Sequence, residues 1–234
     1  MARLFRRLVT ATVAALAVTI SLVALGSGPA TADQPEGYGP ADPFDDSIKP
    51  DDGPQESVRG QAKIARTRYG YRLTAAEQNS RLRITMTDNG RLRFRDTRVD
   101  SWKSLPRACD RQRVDPGVAA TCRVPADATA DDHALIEVRP RLGNDRVDGR
   151  GLPAILDMAV LGDAGRDSLY GGRGDDYLGG AMDRDISVGG AGKDWIRGGD
   201  SRDRLWGGAD ADCIVGMSGR DRIRGGSGVD RTFQ

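Results

Sequence analysis

The residues of this sequence best equipped for chemistry are eight aspartates that recur at every ninth position: Asp167, Asp176, Asp185, Asp194, Asp203, Asp212, Asp221 and Asp230. Carboxylates held at a fixed interval can share protons or share cations, and the residues around them decide which. Written from Gly162, the sequence falls into eight blocks of nine without insertion or deletion as far as Phe233, each opening on glycine and carrying aspartate sixth. Further glycines crowd the openings: Gly171, Gly172 and Gly174; Gly189, Gly190 and Gly192; Gly207 and Gly208; Gly225, Gly226 and Gly228. Glycine reaches positive-φ conformations that other residues resist, so these six-residue openings read as tight turns whose carbonyls are free to point at an ion. Ca²⁺ suits such a place, because it takes about six to eight oxygen ligands from carboxylates and carbonyls in an irregular cage. Zn²⁺ would want Cys or His, and neither recurs here. Several Ca²⁺ ions are therefore the expected cofactor.

Short strands must hold these turns. The last three residues of each block have room for one, with position eight facing inward: Leu169, Leu178, Ser187, Ile196, Leu205, Ile214, Ile223 and Thr232. A period held this strictly predicts a solenoid, with two blocks to a coil and about four coils. Turns two blocks apart stack at the strand spacing of about 4.8 Å, which sorts the aspartates into two columns. Asp176, Asp194, Asp212 and Asp230 form one, and Asp167, Asp185, Asp203 and Asp221 the other. Carboxylates about 5 Å apart repel by about 3 kcal/mol at an effective dielectric near ~20, so a column needs cations between its members. The third block, with Ala181, Asp183 and Ser187 in place of two glycines and an aliphatic residue, makes the weakest coil. The consensus G-G-x-G-x-D-x-U-x resembles the RTX, or haemolysin-type, calcium-binding repeats. That resemblance, over residues 162–233, implies a parallel β-roll in which the position-six aspartate supplies the side-chain ligand. An isolated match, Gly143-Asn144-Asp145-Arg146-Val147, offers an earlier start to the solenoid.

The remaining segments differ sharply in character. Residues 1–32 carry Arg3, Arg6 and Arg7, an apolar run from Leu8 to Leu25, and the small-residue site Ala30-Thr31-Ala32. They read as a signal peptide cleaved before Asp33, which leaves no stable membrane span and implies a secreted, extracellular chain. Residues 33–58 hold eight carboxylates against Lys49 alone, with five prolines, and read as a disordered acidic linker. Residues 59–150 hold 20 basic against 12 acidic side chains and read as a basic, β-rich domain. Cys109 and Cys122 are the expected disulfide of an oxidising compartment, closing a loop around Pro116-Gly117 and leaving Cys213 unpaired.

Within this basic segment a hairpin with a three-residue loop, Gly90 left-handed, would pair Met86 with Leu92 and Ile84 with Phe94. Arg81, Arg83, Arg91, Arg93 and Arg95 then share the opposite face, a patch for a cell-surface polyanion or a solvated surface. Arg83 and Arg95 would stand directly opposite each other, which argues for an anionic partner. His133, the only histidine, is expected to be exposed, and no pair among Glu77, Asp88, Asp100 and Glu137 has a spacing that marks a glycosidase. The expected fold is all-β: a small disulfide-linked β domain followed by a calcium-stacked parallel β-roll over residues 162–234. The expected function is that of a secreted calcium-binding protein, structural or adhesive and not an enzyme. The alternative is a small secreted hydrolase with its site in residues 59–150 and the roll as stabiliser.

Overall fold

A computed structural model describes residues 60–75 and 79–234. The expected signal peptide, the acidic linker and Glu77 lie outside the described residues. Within them the chain is all-β, with eighteen strands and no helix. The first seven are β1 (Gln61–Arg66), β2 (Gly70–Thr74), β3 (Arg81–Met86), β4 (Arg91–Asp96), β5 (Ser101–Ser104), β6 (Cys109–Gln112) and β7 (Val118–Arg123). Then follow β8 (Ala134–Arg139), β9 (Arg146–Asp148), β10 (Leu156–Leu161), β11 (Ser168–Tyr170), β12 (Tyr177–Ala181) and β13 (Ile186–Ala191). The last five are β14 (Trp195–Gly199), β15 (Arg204–Ala209), β16 (Cys213–Met217), β17 (Arg222–Ser227) and β18 (Arg231–Phe233).

From β8 onward the chain alternates between two sheets. One runs β18-β16-β14-β12-β10-β8-β2-β1-β5, the other β17-β15-β13-β11-β9-β3-β4-β7-β6. Inward residues stack in register: Leu178, Ile196, Ile214 and Thr232 in the first sheet, and Leu169, Ser187, Leu205 and Ile223 in the second. The parallel stack begins well before the nonapeptides, because β2 pairs with β8 and β3 with β9, both parallel. The solenoid therefore has about six turns where the array alone suggests four. Its early coils place Leu73, Val138 and Val160 in one inward row, and Leu82 and Val147 in the other, with no glycine-aspartate signature except the match at residues 143–147. The strands β1, β4, β6 and β7 pair antiparallel and β5 lies parallel to β1, extending both sheets at the N-terminal end. Both sheets and one hydrophobic cluster, from Ala62 to Ile214, run across the boundary drawn from composition between residues 150 and 162.

The hairpin has the expected register, Met86 with Leu92, Ile84 with Phe94 and Arg83 with Arg95, with Gly90 at φ +71°. Cys109 and Cys122 are disulfide-bonded across the adjacent strands β6 and β7. Cys213 is free but buried, in register with Trp195 and Arg231. His133 departs from expectation. It is half-buried, with Nδ1 2.8 Å from Asp157 Oδ1 and Nε2 3.2 Å from the Ala130 carbonyl. Burial works against its charged form, but Asp157, the Ala130 carbonyl and Asp175 together hold its pKa above the usual value.

The weak third block shows its cost in the core. Ser187 is fully buried between Leu169 and Leu205 in the inward row, and its hydroxyl has no partner. A buried donor without an acceptor costs about 1–3 kcal/mol. Ser187→Val should therefore raise the thermal midpoint at fixed calcium, by roughly 1–2 kcal/mol in stability. A lowered midpoint would show that the neighbouring leucines leave no room for the added methyls.

Candidate metal centre

The strand-turn alternation brings every position-six aspartate to the same place on its coil. Asp167, Asp176, Asp185, Asp194, Asp203 and Asp212 are at most 2% exposed, while Asp221 and Asp230, on the last coil, are half-buried. One oxygen of each is used structurally. The Asp167 amide donates to Asp185 Oδ1 at 2.8 Å, Asp185 to Asp203 and Asp203 to Asp221 at 2.9 Å. In the other column Asp176 donates to Asp194 and Asp194 to Asp212 at 2.9 Å, and Asp212 to Asp230 at 3.2 Å. Each carboxylate thus ties its coil to the one before.

The second oxygen is what matters. Oδ2 of Asp167, Asp185, Asp194, Asp203, Asp212 and Asp221 is buried and accepts no hydrogen bond. Asp176 differs, since its Oδ2 accepts the Gly172 amide at 2.6 Å. Each Oδ2 lies against the first glycine of its own block, where a Cβ would strike it. On Gly171 that Cβ would meet Asp176 Oδ2 and the Gly189 carbonyl; on Gly207 it would meet Asp212 Oδ2 and the Gly225 carbonyl. Gly189 and Gly225 face the carboxylates of Asp194 and Asp230. A carboxylate oxygen and a carbonyl oxygen from the next coil therefore share one small space that only glycine leaves open.

Turn conformation follows the sequence position by position. Second-position Gly190, Gly208 and Gly226 have φ of +129°, +134° and +122°, and fourth-position Gly192 and Gly228 have +102° and +145°. Gly172 and Gly174 are not left-handed. They are demanded by close approach, to Leu152 and to the Leu156 carbonyl respectively. In the other column the second position falls to Asp163, Ala181 and Met217, held at φ +76°, +82° and +71°, and only in the turn of Asp203 to a glycine, Gly199 at +117°.

The columns are unequal in length. Asp145 joins the one headed by Asp167, its amide donating to Asp167 Oδ1 at 2.8 Å, and its own Oδ2 is buried without a partner. The matching place in the column of Asp176 is taken by Met158, whose amide donates to Asp176 Oδ1 at 2.7 Å. The isolated sequence match at residues 143–147 is the signal for Asp145. An outer row has none: Asp157 Oδ1 accepts the Asp175 amide, and Asp175 Oδ1 the Lys193 amide.

Burial, followed by the neighbouring carboxylates, raises the pKa of the fully buried column aspartates. Asp194 is pushed up to about 10, Asp167 to about 8, Asp145 and Asp185 to about 7, and Asp203 and Asp212 to about 6. Asp176 is raised well above its usual value, also by burial. Two species can quiet such oxygens, a proton or a cation. Among the described residues no three His, Cys, Asp or Glu side chains cluster as ligands. A cation here would be held by one carboxylate per level together with glycine carbonyls, an all-oxygen donor set that fits Ca²⁺. The ion would supply the positive charge that lets the columns stack ionised.

The arginines lie elsewhere. Arg81, Arg83, Arg91, Arg93 and Arg95 project from the outer face of the second sheet, opposite buried Leu82, Ile84, Leu92 and Phe94. That face continues along the roll, where Arg81 stands in register with Arg146, Arg204 with Arg222, and Trp206 with Arg224. Arg204, Trp206, Arg222 and Arg224 line a depression of about 330 Å³. Asp110, on Arg91 at 2.6 Å, and Asp148, on Arg150 at 2.8 Å, are ion-paired on this face.

Four overlapping stretches, residues 160–186, 179–214, 188–223 and 212–233, match the RTX calcium-binding nonapeptide repeat. No curated protein and no solved structure matches the chain. Residues 160–233 are thus an array of RTX repeats, which bind calcium, and they form the C-terminal part of the β-solenoid. No helix among the described residues is long and apolar enough to cross a membrane.

Proposed function

We propose that this chain is an exported protein whose RTX array is assembled by stacked Ca²⁺ ions into a stiff module with a structural or adhesive role outside the cell. The observation that carries the reading is the row of buried, donor-free Oδ2 atoms, those of Asp167, Asp185, Asp203 and Asp212 beside a carbonyl of the next coil. Ca²⁺ would be held by the eight position-six aspartates and the carbonyls of glycines such as Gly171, Gly189, Gly207 and Gly225. Export rests on the arginine-led apolar segment and the Ala30-Thr31-Ala32 site. To test calcium assembly, circular dichroism of the full chain is followed as Ca²⁺ is added to chelated protein. The β signal should grow with a midpoint at about 10⁻⁴ to 10⁻³ M, the range of extracellular modules. A spectrum indifferent to calcium would sink the reading.

The adhesive role is favoured over the hydrolase by the arginine face. Like charges in register, Arg83 with Arg95 and Arg204 with Arg222, repel across neighbouring strands, and an anionic polymer lying along the sheet would relieve them. The protein should be retained on immobilised dextran sulfate but not on neutral dextran, and Arg204→Glu with Arg222→Glu should elute at lower salt. Equal retention on the two resins would remove the adhesive part and leave calcium binding intact.

A further inference from the structure

Near the start of the stack three buried oxygens have no hydrogen-bond partner: Ser80 Oγ, Asp96 Oδ2 and Asp145 Oδ2. Their residues are 0%, 1% and 2% exposed, and all three precede the matched repeats. Register explains their meeting. Arg81 pairs with Arg146, so Ser80 stands level with Asp145, one coil earlier, in the slot that aspartate fills in every later coil of that column. The Ser80 amide donates to Asp145 Oδ1 at 2.5 Å, as the Asp145 amide does to Asp167 Oδ1.

On the other side of Ser80 lies β4, running antiparallel. Asp96 pairs with Leu82, and its Oδ1 accepts the amides of Arg81 at 3.1 Å and Arg98 at 2.9 Å. Leu82 and Asp96 are both buried, so Asp96 is turned to the interior, the face that Ser80 shares by strand alternation. The arginines of β3 and β4 project from the opposite face and cannot serve these oxygens. Each carboxylate therefore has one oxygen satisfied by backbone amides and one left in the protein interior with no donor. Two such groups flanking a buried hydroxyl are costly unless something positive ties them together.

We propose that Ser80, Asp96 and Asp145 form a divalent-cation site of the calcium class, outside the nonapeptide array, that locks β4 and the N-terminal strands onto the roll. A hydroxyl and two carboxylates are hard oxygen donors of the kind Ca²⁺ accepts, with backbone carbonyls or water completing the shell. The site goes beyond the array reading and rests on it only through Asp145, which also joins the column of Asp167.

Calcium bound per chain can be counted by equilibrium dialysis of the full chain, wild type against Asp96→Asn. Asparagine keeps an oxygen for the two amides and removes the charge. One ion fewer is expected in the variant, with the remaining ions and the dichroism unchanged. Ser80→Ala, a change too small to prevent folding, decides the matter should Asp96→Asn fail to fold: it should raise several-fold the calcium needed to fill one ion. If ion count and titration in the two variants equal those of the wild type, the junction site is overturned and the array reading stands. A wild-type chain that binds no calcium would overturn the array reading first and this site with it.

Discussion

Asp194→Ala raises the calcium concentration at which the roll assembles by more than Asp185→Ala, with Asp212→Ala and Asp203→Ala between them. The difference originates in the turns. The turn that carries Asp194 has glycine at both left-handed positions, Gly190 and Gly192, whereas those of Asp212 and Asp203 have one glycine and one side chain there, Gly208 with Asp210 and Gly199 with Ser201. The turn of Asp185 has Ala181 and Asp183 there, at φ +82° and +69°. A side chain in that region costs about 1–2 kcal/mol, which the assembled state must carry whenever the ion binds. At about 1.4 kcal/mol for each tenfold in affinity, sites built on such turns should be weaker by roughly tenfold, and removing their carboxylate forfeits less. Asp230, half-buried at the end of its column, should matter less than either inner residue, since it has a coil on one side only. The converse change is informative as well: Ala181→Gly and Met217→Gly should lower the midpoint. Calcium titrations followed by circular dichroism measure all of these. Equal shifts at Asp185, Asp194, Asp203, Asp212 and Asp230 would mean that the columns are equivalent and turn conformation is irrelevant.

In chelator, the protein should be most stable in mild acid and lose its roll as the pH rises. This inverts the usual acid denaturation of proteins, and the sign follows from the raised pKa values. Carboxyls lifted in the folded chain from the ordinary 3.8 to between about 6 and about 10 hold more protons there than in the unfolded chain. Stability is then full below about pH 4 and falls as pH climbs through the raised values. A tenfold difference in proton affinity between the folded and unfolded chain corresponds to about 1.4 kcal/mol, and several aspartates contribute at once. Their sum competes with the entire stability of a typical domain, about 5–15 kcal/mol. Added Ca²⁺ replaces the protons and should flatten the dependence. Thermal midpoints measured from pH 4 to pH 9, with and without calcium, test this; a chelated protein that gains stability toward pH 8 would contradict it.

Sequence and structure agree most closely where one residue type must occupy one place. Position one must be glycine because Asp Oδ2 occupies the space a Cβ would need, and such compulsion leaves a strict period. The early coils leave no such mark, for the opposite reason. The inward places held by Leu73, Leu82, Val138 and Val160 accept any aliphatic residue, and the slots that precede Asp176 and Asp145 in their columns are taken by Met158 and Ser80. Nothing periodic remains to be read there. The partner of His133 is hidden in the sequence because Asp157 is 24 residues away and is brought near only by coil stacking. The hairpin of β3 and β4 is legible because its register is fixed locally, by alternation and one left-handed glycine.

The coil repeat, in which each aspartate contacts the residue 18 positions away, constrains how the length of such an array can change over generations. Duplication or loss of a single block keeps glycine, aspartate and the inward aliphatic residue in phase, so the columns survive. It also exchanges the two sheets for everything downstream, carrying Arg204, Trp206, Arg222 and Arg224 off the face they share with Arg81 through Arg95. A change of two blocks alters neither. Descendants that depend only on the ion could drift in steps of one block, while those that depend on the continuous arginine surface would be held to steps of two.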